Sequence, residues 1–73
     1  MTALTVRVNR ADLVDDLVVS FQTSGCPARR IGPRSCTVEH TTAIDENEAR
    51  VEVSFFLRAW QLRHPCARAS LAG

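Results

Sequence analysis

The spacing of the hydrophobic residues changes twice from that of a strand to that of a helix along this chain of 73 residues. Leu4, Val6 and Val8 alternate with polar residues, which is typical of a strand with one buried and one solvated face. The apolar residues that follow recur at helical spacing, and they are Leu13, Val14, Leu17, Val18 and Phe21. The pattern therefore predicts a strand over residues 3–9 and a helix over residues 10–24.

Polar residues and a glycine mark the ends of this first helix. The side chain of Asn9 is expected to cap its first turn, where Asp12 and Asp15 also suit the positive end of the helix dipole. Gly25 can adopt the left-handed conformation that commonly ends a helix. We therefore expect the chain to turn at this glycine.

The next two segments are predicted to form a hairpin. Residues 26–31 and 35–40 flank the sequence Gly32-Pro33-Arg34, which is typical of a tight turn. Pro27 has no backbone N–H to donate to a neighbouring strand. The first of the two strands is therefore expected at an edge of the sheet.

Residues 49–57 allow two interpretations. Their apolar residues alternate as in a strand. However, the segment follows Asp45, a good N-cap residue with Glu48 three positions on, and neither Gly nor Pro interrupts residues 46–64. We therefore predict a helix over residues 46–64 that Pro65 ends. A strand over residues 49–57 with a short helix behind it is the alternative.

The second helix has two apolar faces. At about 100° per residue, one face groups the residues expected to form the core stripe, which are Ala49, Val53, Phe56, Leu57 and Trp60. Val51, Phe55 and Leu62 cluster on nearly the opposite side, where a helix that lies on a sheet should face water. Soluble monomers tend to avoid such a patch, so we interpret these three residues as an interface. The alternative is a slightly rotated helix that buries Phe55.

Residues 66–71 alternate again and predict a last strand at an edge of the sheet. The resulting order of strand, helix, strand, strand, helix, strand resembles the ferredoxin-like fold. The resemblance implies one small α+β domain over residues 1–73, with two helices on one face of a four-stranded antiparallel sheet. The segment LRAWQLRHP, from Leu57 to Pro65, is also similar to the C-terminal helix of short uncharacterised bacterial proteins with this layout. Neither resemblance implies a chemistry.

Ferredoxin-like families with known chemistry differ from this sequence at the residues that carry their function. RNA-recognition motifs stack bases on aromatic residues of the two central strands, where this sequence has Arg7, Asn9, Thr37 and Glu39. The loop after the first strand lacks the paired cysteines of heavy-metal-associated domains and the glycine-rich phosphate cradle of acylphosphatases. It also lacks the glycine that usually begins helix one of ACT domains, which bind amino acids at dimer interfaces.

The thiols and imidazoles are expected to be structural. Cys26, Cys36 and Cys66 lack metal-ligand spacing, so we expect reduced thiols that pack as small hydrophobic residues. Cys36 and His40 lie about 13 Å apart on a strand, which is too far for a nucleophile and its base. We expect His64 to contact carbonyl groups at the end of helix two, and His40 to be partly exposed. No catalytic residue, metal site or cofactor is therefore predicted.

The arginines offer a candidate anion-binding surface. The residues expected near the open face of the sheet or its hairpin are Arg7, either Arg29 or Arg30, Arg34 and Arg68. Arg7, Arg29 and Arg68 form the preferred set. A net charge of +1 and the lack of neighbouring aromatic residues disfavour nucleic acid as their partner. The alternative is a solvated surface on which the arginines pair with Glu39.

Size and composition restrict the function further. A chain of 73 residues has no room for a large internal site, and its apolar runs are far shorter than the roughly 20 residues that span a membrane. Its first residues, MTALTVRVNR, lack the pattern of a secretory signal, so a cytoplasmic location is expected. We therefore predict a non-catalytic interaction module that forms a homodimer or binds a partner protein. The alternatives are an ACT-like domain that binds a small ligand and a weak nucleic-acid binder that uses the arginine-bearing face.

Overall fold

The protein has an α+β fold with a four-stranded antiparallel sheet and two helices, as predicted. The structure is a computed structural model that describes residues 2–40 and 45–72. Residues 1, 41–44 and 73 of the predicted domain lie outside the described residues. The elements are β1 (Thr2–Val8), a 3-10 turn (Ala11–Leu13), α1 (Val14–Thr23), β2 (Ala28–Gly32), β3 (Ser35–His40), α2 (Glu46–Arg63) and β4 (Ala69–Leu71).

The strands lie in the order β2-β3-β1-β4, and every neighbouring pair is antiparallel. The connection through α1 therefore skips over β3, and the connection through α2 skips over β1. This topology fits the ferredoxin-like fold. The edge strands are β2 and β4, as predicted, and Pro27 directly precedes β2.

One hydrophobic cluster joins a single face of the sheet to both helices. Its largest fully buried side chains are Trp60 and Phe21, and each buried residue of this size contributes about 1.5–3 kcal/mol. Phe56 is half-buried and stacks on Phe21 with 4.3 Å between ring centroids. Because α1 and α2 cover the same face, the other face of the sheet is left open. The buried residues of the strands are Leu4, Val6, Val8, Cys36 and Val38.

Helix α2 forms over the segment that had two interpretations, so the alternative strand over residues 49–57 is wrong. The side chain of Asp45 accepts a hydrogen bond from the backbone N–H of Glu48 at 2.8 Å, which caps the helix as predicted. The predicted core stripe faces the sheet, and its fully buried members are Ala49, Val53, Leu57 and Trp60.

The first helix and the last strand are shorter than predicted. Asn9 does not cap a helix, because its side-chain oxygen instead accepts a hydrogen bond from the backbone N–H of Arg68 at 2.7 Å. The last strand contains only Ala69–Leu71, since Cys66 lies in the turn after α2 and Ala67 is buried in the core. Gly25 has a φ of 89° and follows the end of α1, as predicted.

A polar contact also joins the two helices. The indole N–H of Trp60 donates to Oδ2 of Asp16 at 2.9 Å. The same oxygen lies 3.2 Å from Nε2 of His64, and Nδ1 of His64 lies 3.0 Å from the carbonyl oxygen of Trp60. His64 therefore contacts the last turn of α2 as predicted, whereas the sequence contains no signal for the contact with Asp16.

Candidate functional site

Val51, Phe55 and Leu62 form an exposed apolar stripe on α2, which we call the outer stripe. These residues are 47%, 64% and 80% exposed, respectively. Trp60 and Val53, on the opposite side of the same helix, are buried in the core. The alternative of a rotated helix that buries Phe55 is therefore wrong. The helix presents one apolar face to the sheet and a second one away from it.

The surroundings of the outer stripe are mixed in character. A shallow cavity of about 410 Å³ lies beside it, lined by Val51, Phe55 and Arg58 of α2 together with Leu71 of the edge strand β4. On the other flank, Glu48 and Arg63 lie near opposite ends of the helix, about 60° apart around its axis. The stripe thus borders the edge strand β4 on one side. On its other side it borders a flank with an acid near one end of the helix and a base near the other.

The open face of the sheet carries small and polar side chains. Strand alternation and register place Thr5 opposite Thr37, and Arg7 opposite both Ser35 and Ser70. All four aromatic residues of the sequence lie on the helices instead. Because single-stranded RNA is commonly bound by stacking bases on aromatic side chains, this face lacks the usual means of binding it.

The structure brings together two of the three preferred anion-site arginines. Arg7 and Arg68 line the same open cleft of about 500 Å³, with Arg34 from the turn between β2 and β3. Arg29 lines a separate cavity of about 380 Å³ beside Glu39. Register explains the separation, because Arg29 is opposite Thr37 in the middle of β3, whereas Arg7 is opposite Ser35 at its start.

Arg30 lies on the helix side of the sheet. It pairs with Asp15 of α1 at 3.2 Å and donates to the carbonyl oxygens of Gly32 and Pro33 at 2.9 and 2.8 Å. Its charge therefore stabilises the contact of β2 with α1 and does not contribute to the open face. Periodicity alone had left Arg29 and Arg30 indistinguishable, since a shift of one residue exchanges the two faces of a strand.

The cysteines and histidines differ in their burial and contacts. Cys36 is fully buried, and this burial raises the pKa of its thiol from 9.0 to about 11. The prediction that the cysteines pack as small hydrophobic residues is confirmed for Cys36, while Cys26 is half-buried and Cys66 is exposed. His40 is partly exposed, as predicted, with 12% of its side chain accessible, and its Nε2 pairs with Glu52. It therefore ties the end of β3 to α2.

Comparisons with protein-family models, with curated protein sequences and with solved structures find no match to this chain. The fold class therefore comes from the architecture alone. Neither helix in residues 2–40 and 45–72 is long and apolar enough to cross a lipid bilayer. Within the same ranges, no three His, Cys, Asp or Glu side chains are grouped so that they could hold a metal ion.

Proposed function

We propose that this protein is a non-catalytic, self-associating module that forms a homodimer through the outer stripe of α2. The observation that carries the proposal is the 64% exposure of Phe55 between two other exposed apolar residues on one helix face. Burial of such a patch in a second chain removes apolar surface from water, which is the main driving force of association. The core of so short a chain is thin, so association also adds to its stability.

The charges beside the stripe favour a second copy of the chain as the occupant. A two-fold axis near Phe55 would pack the α2 helices of two chains antiparallel. A residue a given number of positions before Phe55 in one chain would then face the residue about as many positions after Phe55 in the other chain. Glu48 and Arg63 lie seven and eight residues from Phe55 on the same flank. In such a dimer, Glu48 of one chain faces Arg63 of the other, twice. The surface is therefore apolar at its centre, and the charges beside it are complementary to those of a second copy.

The size of the outer face limits the strength of the dimer. An 18-residue helix is about 27 Å long and about 10 Å wide, so its outer face offers roughly 270 Å² per chain. Stable interfaces bury about 800 Å² per partner. The adjacent cavity that Leu71 lines extends the surface towards β4. We therefore expect a reversible dimer with a dissociation constant in the micromolar range or weaker.

Sedimentation velocity tests the proposal directly. As the protein concentration is raised from about tenfold below to about tenfold above the dissociation constant, the average mass of the wild-type protein should rise from 8.1 kDa towards twice that value. Phe55→Asp should remain monomeric at every concentration, because a carboxylate at the centre of the stripe cannot be buried without a partner. Val19→Asp is the matched control, since Val19 is 58% exposed but lies on α1. A wild-type protein that stays monomeric throughout would refute the proposal.

A charge exchange tests the antiparallel geometry separately. Arg63→Glu should weaken the dimer, because the new acid faces Glu48 of the second chain. The double variant Glu48→Arg with Arg63→Glu restores opposite charges across the axis and should recover most of the lost affinity. Circular dichroism of each variant verifies that α2 is retained. If the double variant dimerises with no higher affinity than Arg63→Glu alone, the helices do not pack in this antiparallel register.

A further inference from the structure

A second surface, distinct from the outer stripe, combines arginine side chains with hydroxyl groups. It is the open cleft of about 500 Å³ at the end of β1, which we call the arginine cleft. Its volume falls within the usual range of small-molecule sites, about 300–1,000 Å³. The polar residues that line it are Arg7, Asn9, Arg34, Ser35, Arg68 and Ser70.

The sheet holds the three arginines in place through their backbones. Arg7 lies on the central strand β1, with Ser35 opposite it on β3 and Ser70 opposite it on β4. The carbonyl oxygen of Arg34 accepts a hydrogen bond from Val8 N–H at 2.8 Å, and that of Arg68 accepts one from Asn9 N–H at 3.0 Å. The end of β1 is therefore hydrogen-bonded to both neighbouring segments, and three cationic residues far apart in sequence line one cleft.

No carboxylate among the described residues pairs with these three arginines. Arg10 pairs with Asp12 at 2.8 Å and Arg30 pairs with Asp15 at 3.2 Å, so the ion pairs of the nearby arginines lie elsewhere. Among the described residues, no acidic one lines the cleft. Three cationic residues with no acidic residue beside them raise the positive potential of the cleft, which favours the binding of an anion.

We propose that the arginine cleft binds a small ligand with two or more phosphoryl groups. A guanidinium group donates two parallel hydrogen bonds to phosphate oxygens, and serine hydroxyls add further donors. Arg34 on one side of Arg7 and Arg68 on the other provide positive charge for more than one phosphoryl group. None of the described residues that line the cleft is aromatic, so the ligand is recognised by its anionic groups and not by a stacked base.

Isothermal titration with inorganic pyrophosphate measures this binding on the full chain. We expect saturable binding of one pyrophosphate per chain, with an affinity that exceeds those for inorganic phosphate and citrate at the same ionic strength. Arg7→Gln, Arg34→Gln and Arg68→Gln should each weaken it at least about tenfold, the loss typical of one charge-assisted hydrogen-bonding partner. Without ligand, the same variants should keep or raise the Tm, because each relieves repulsion between cations.

Arg29→Gln is the matched control, because it removes the same charge from the same sheet but from the separate cavity beside Glu39. Its affinity should stay within about twofold of wild type. Phe55→Asp should also bind pyrophosphate normally, which separates this site from the proposed dimer.

The proposal would be overturned by the absence of measurable pyrophosphate binding, by an equal loss of affinity in Arg29→Gln, or by tighter binding of citrate than of pyrophosphate. Tighter binding of a single-stranded oligonucleotide through the same arginines would also overturn it, since the occupant would then be nucleic acid.

Discussion

Replacement of Asp16 tests how the two helices are held together. Asp16 accepts the indole N–H of Trp60 at 2.9 Å and lies 3.2 Å from His64, so one carboxylate of α1 contacts two residues at the end of α2. In Asp16→Ala the indole N–H of Trp60 loses its acceptor. The loss is costly because Trp60 is fully buried. An unsatisfied buried donor costs about 1–3 kcal/mol. Because the Asp16 side chain is 49% exposed, water can reach the site, and the lower half of this range applies.

The neighbouring residue provides the control. Asp15 and Asp16 both lie in the first turn of α1, so each loses a favourable helix-dipole interaction of about 0.3–1 kcal/mol when replaced. Asp15 makes only an exposed ion pair with Arg30, worth about 0.2–1 kcal/mol. We therefore expect Asp16→Ala to lower the free energy of unfolding by about 2 kcal/mol and Asp15→Ala by about 1 kcal/mol.

Urea unfolding followed by the fluorescence of the single tryptophan, Trp60, measures both variants at a fixed protein concentration. The expected difference of about 1 kcal/mol corresponds to about 4–8 °C in Tm for a domain of this size. Asp16→Asn retains an oxygen acceptor for the indole and should recover part of the loss. Equal effects of Asp16→Ala and Asp15→Ala would refute the reasoning, because the dipole alone would then explain both.

Two further predictions concern single groups. Of the three cysteines, Cys66 should react first with a thiol reagent, then Cys26, and Cys36 last, which follows their order of exposure. Cys36 is also slow because a thiol with a pKa of about 11 is only about 0.1% ionised at pH 8. Mass spectrometry measures the labelling, and rapid labelling of Cys36 in the folded protein would contradict its burial. Asp45→Ala should lower the free energy of unfolding by about 1 kcal/mol, because it removes the 2.8 Å hydrogen bond from the Glu48 N–H that caps α2. Thermal unfolding measures the effect, and an unchanged Tm would contradict this contribution of the cap.

Much of the fold could be predicted because its signals are local. The alternation of Leu4, Val6 and Val8 and the helical spacing in the two helices depend only on neighbouring residues. The same holds for the outer stripe, since the position of Phe55 around α2 follows from the helix period. The segment boundaries were less accurate: Asn9 is a plausible cap in sequence, but the backbone of Arg68 competes for its side chain in the fold.

The candidate anion site could be predicted only in part. Arg7 and Arg68 belonged to the preferred set, but Arg34 had to replace Arg29 to complete the cleft. The reason is register, because hydrogen bonding between strands decides which residues lie side by side across a sheet. No single segment contains that information.

By itself, the sequence determined the kind and order of the elements and the two apolar faces of α2, because both follow from periodicity along one segment. Only the tertiary structure decided that Arg7, Arg34 and Arg68 share a cleft and that Asp16 accepts the indole N–H of Trp60. These contacts join residues that are far apart in the chain. Asp16 and Trp60, for example, are separated by 44 positions. Their formation depends on the order β2-β3-β1-β4 and on the packing of two helices over one face.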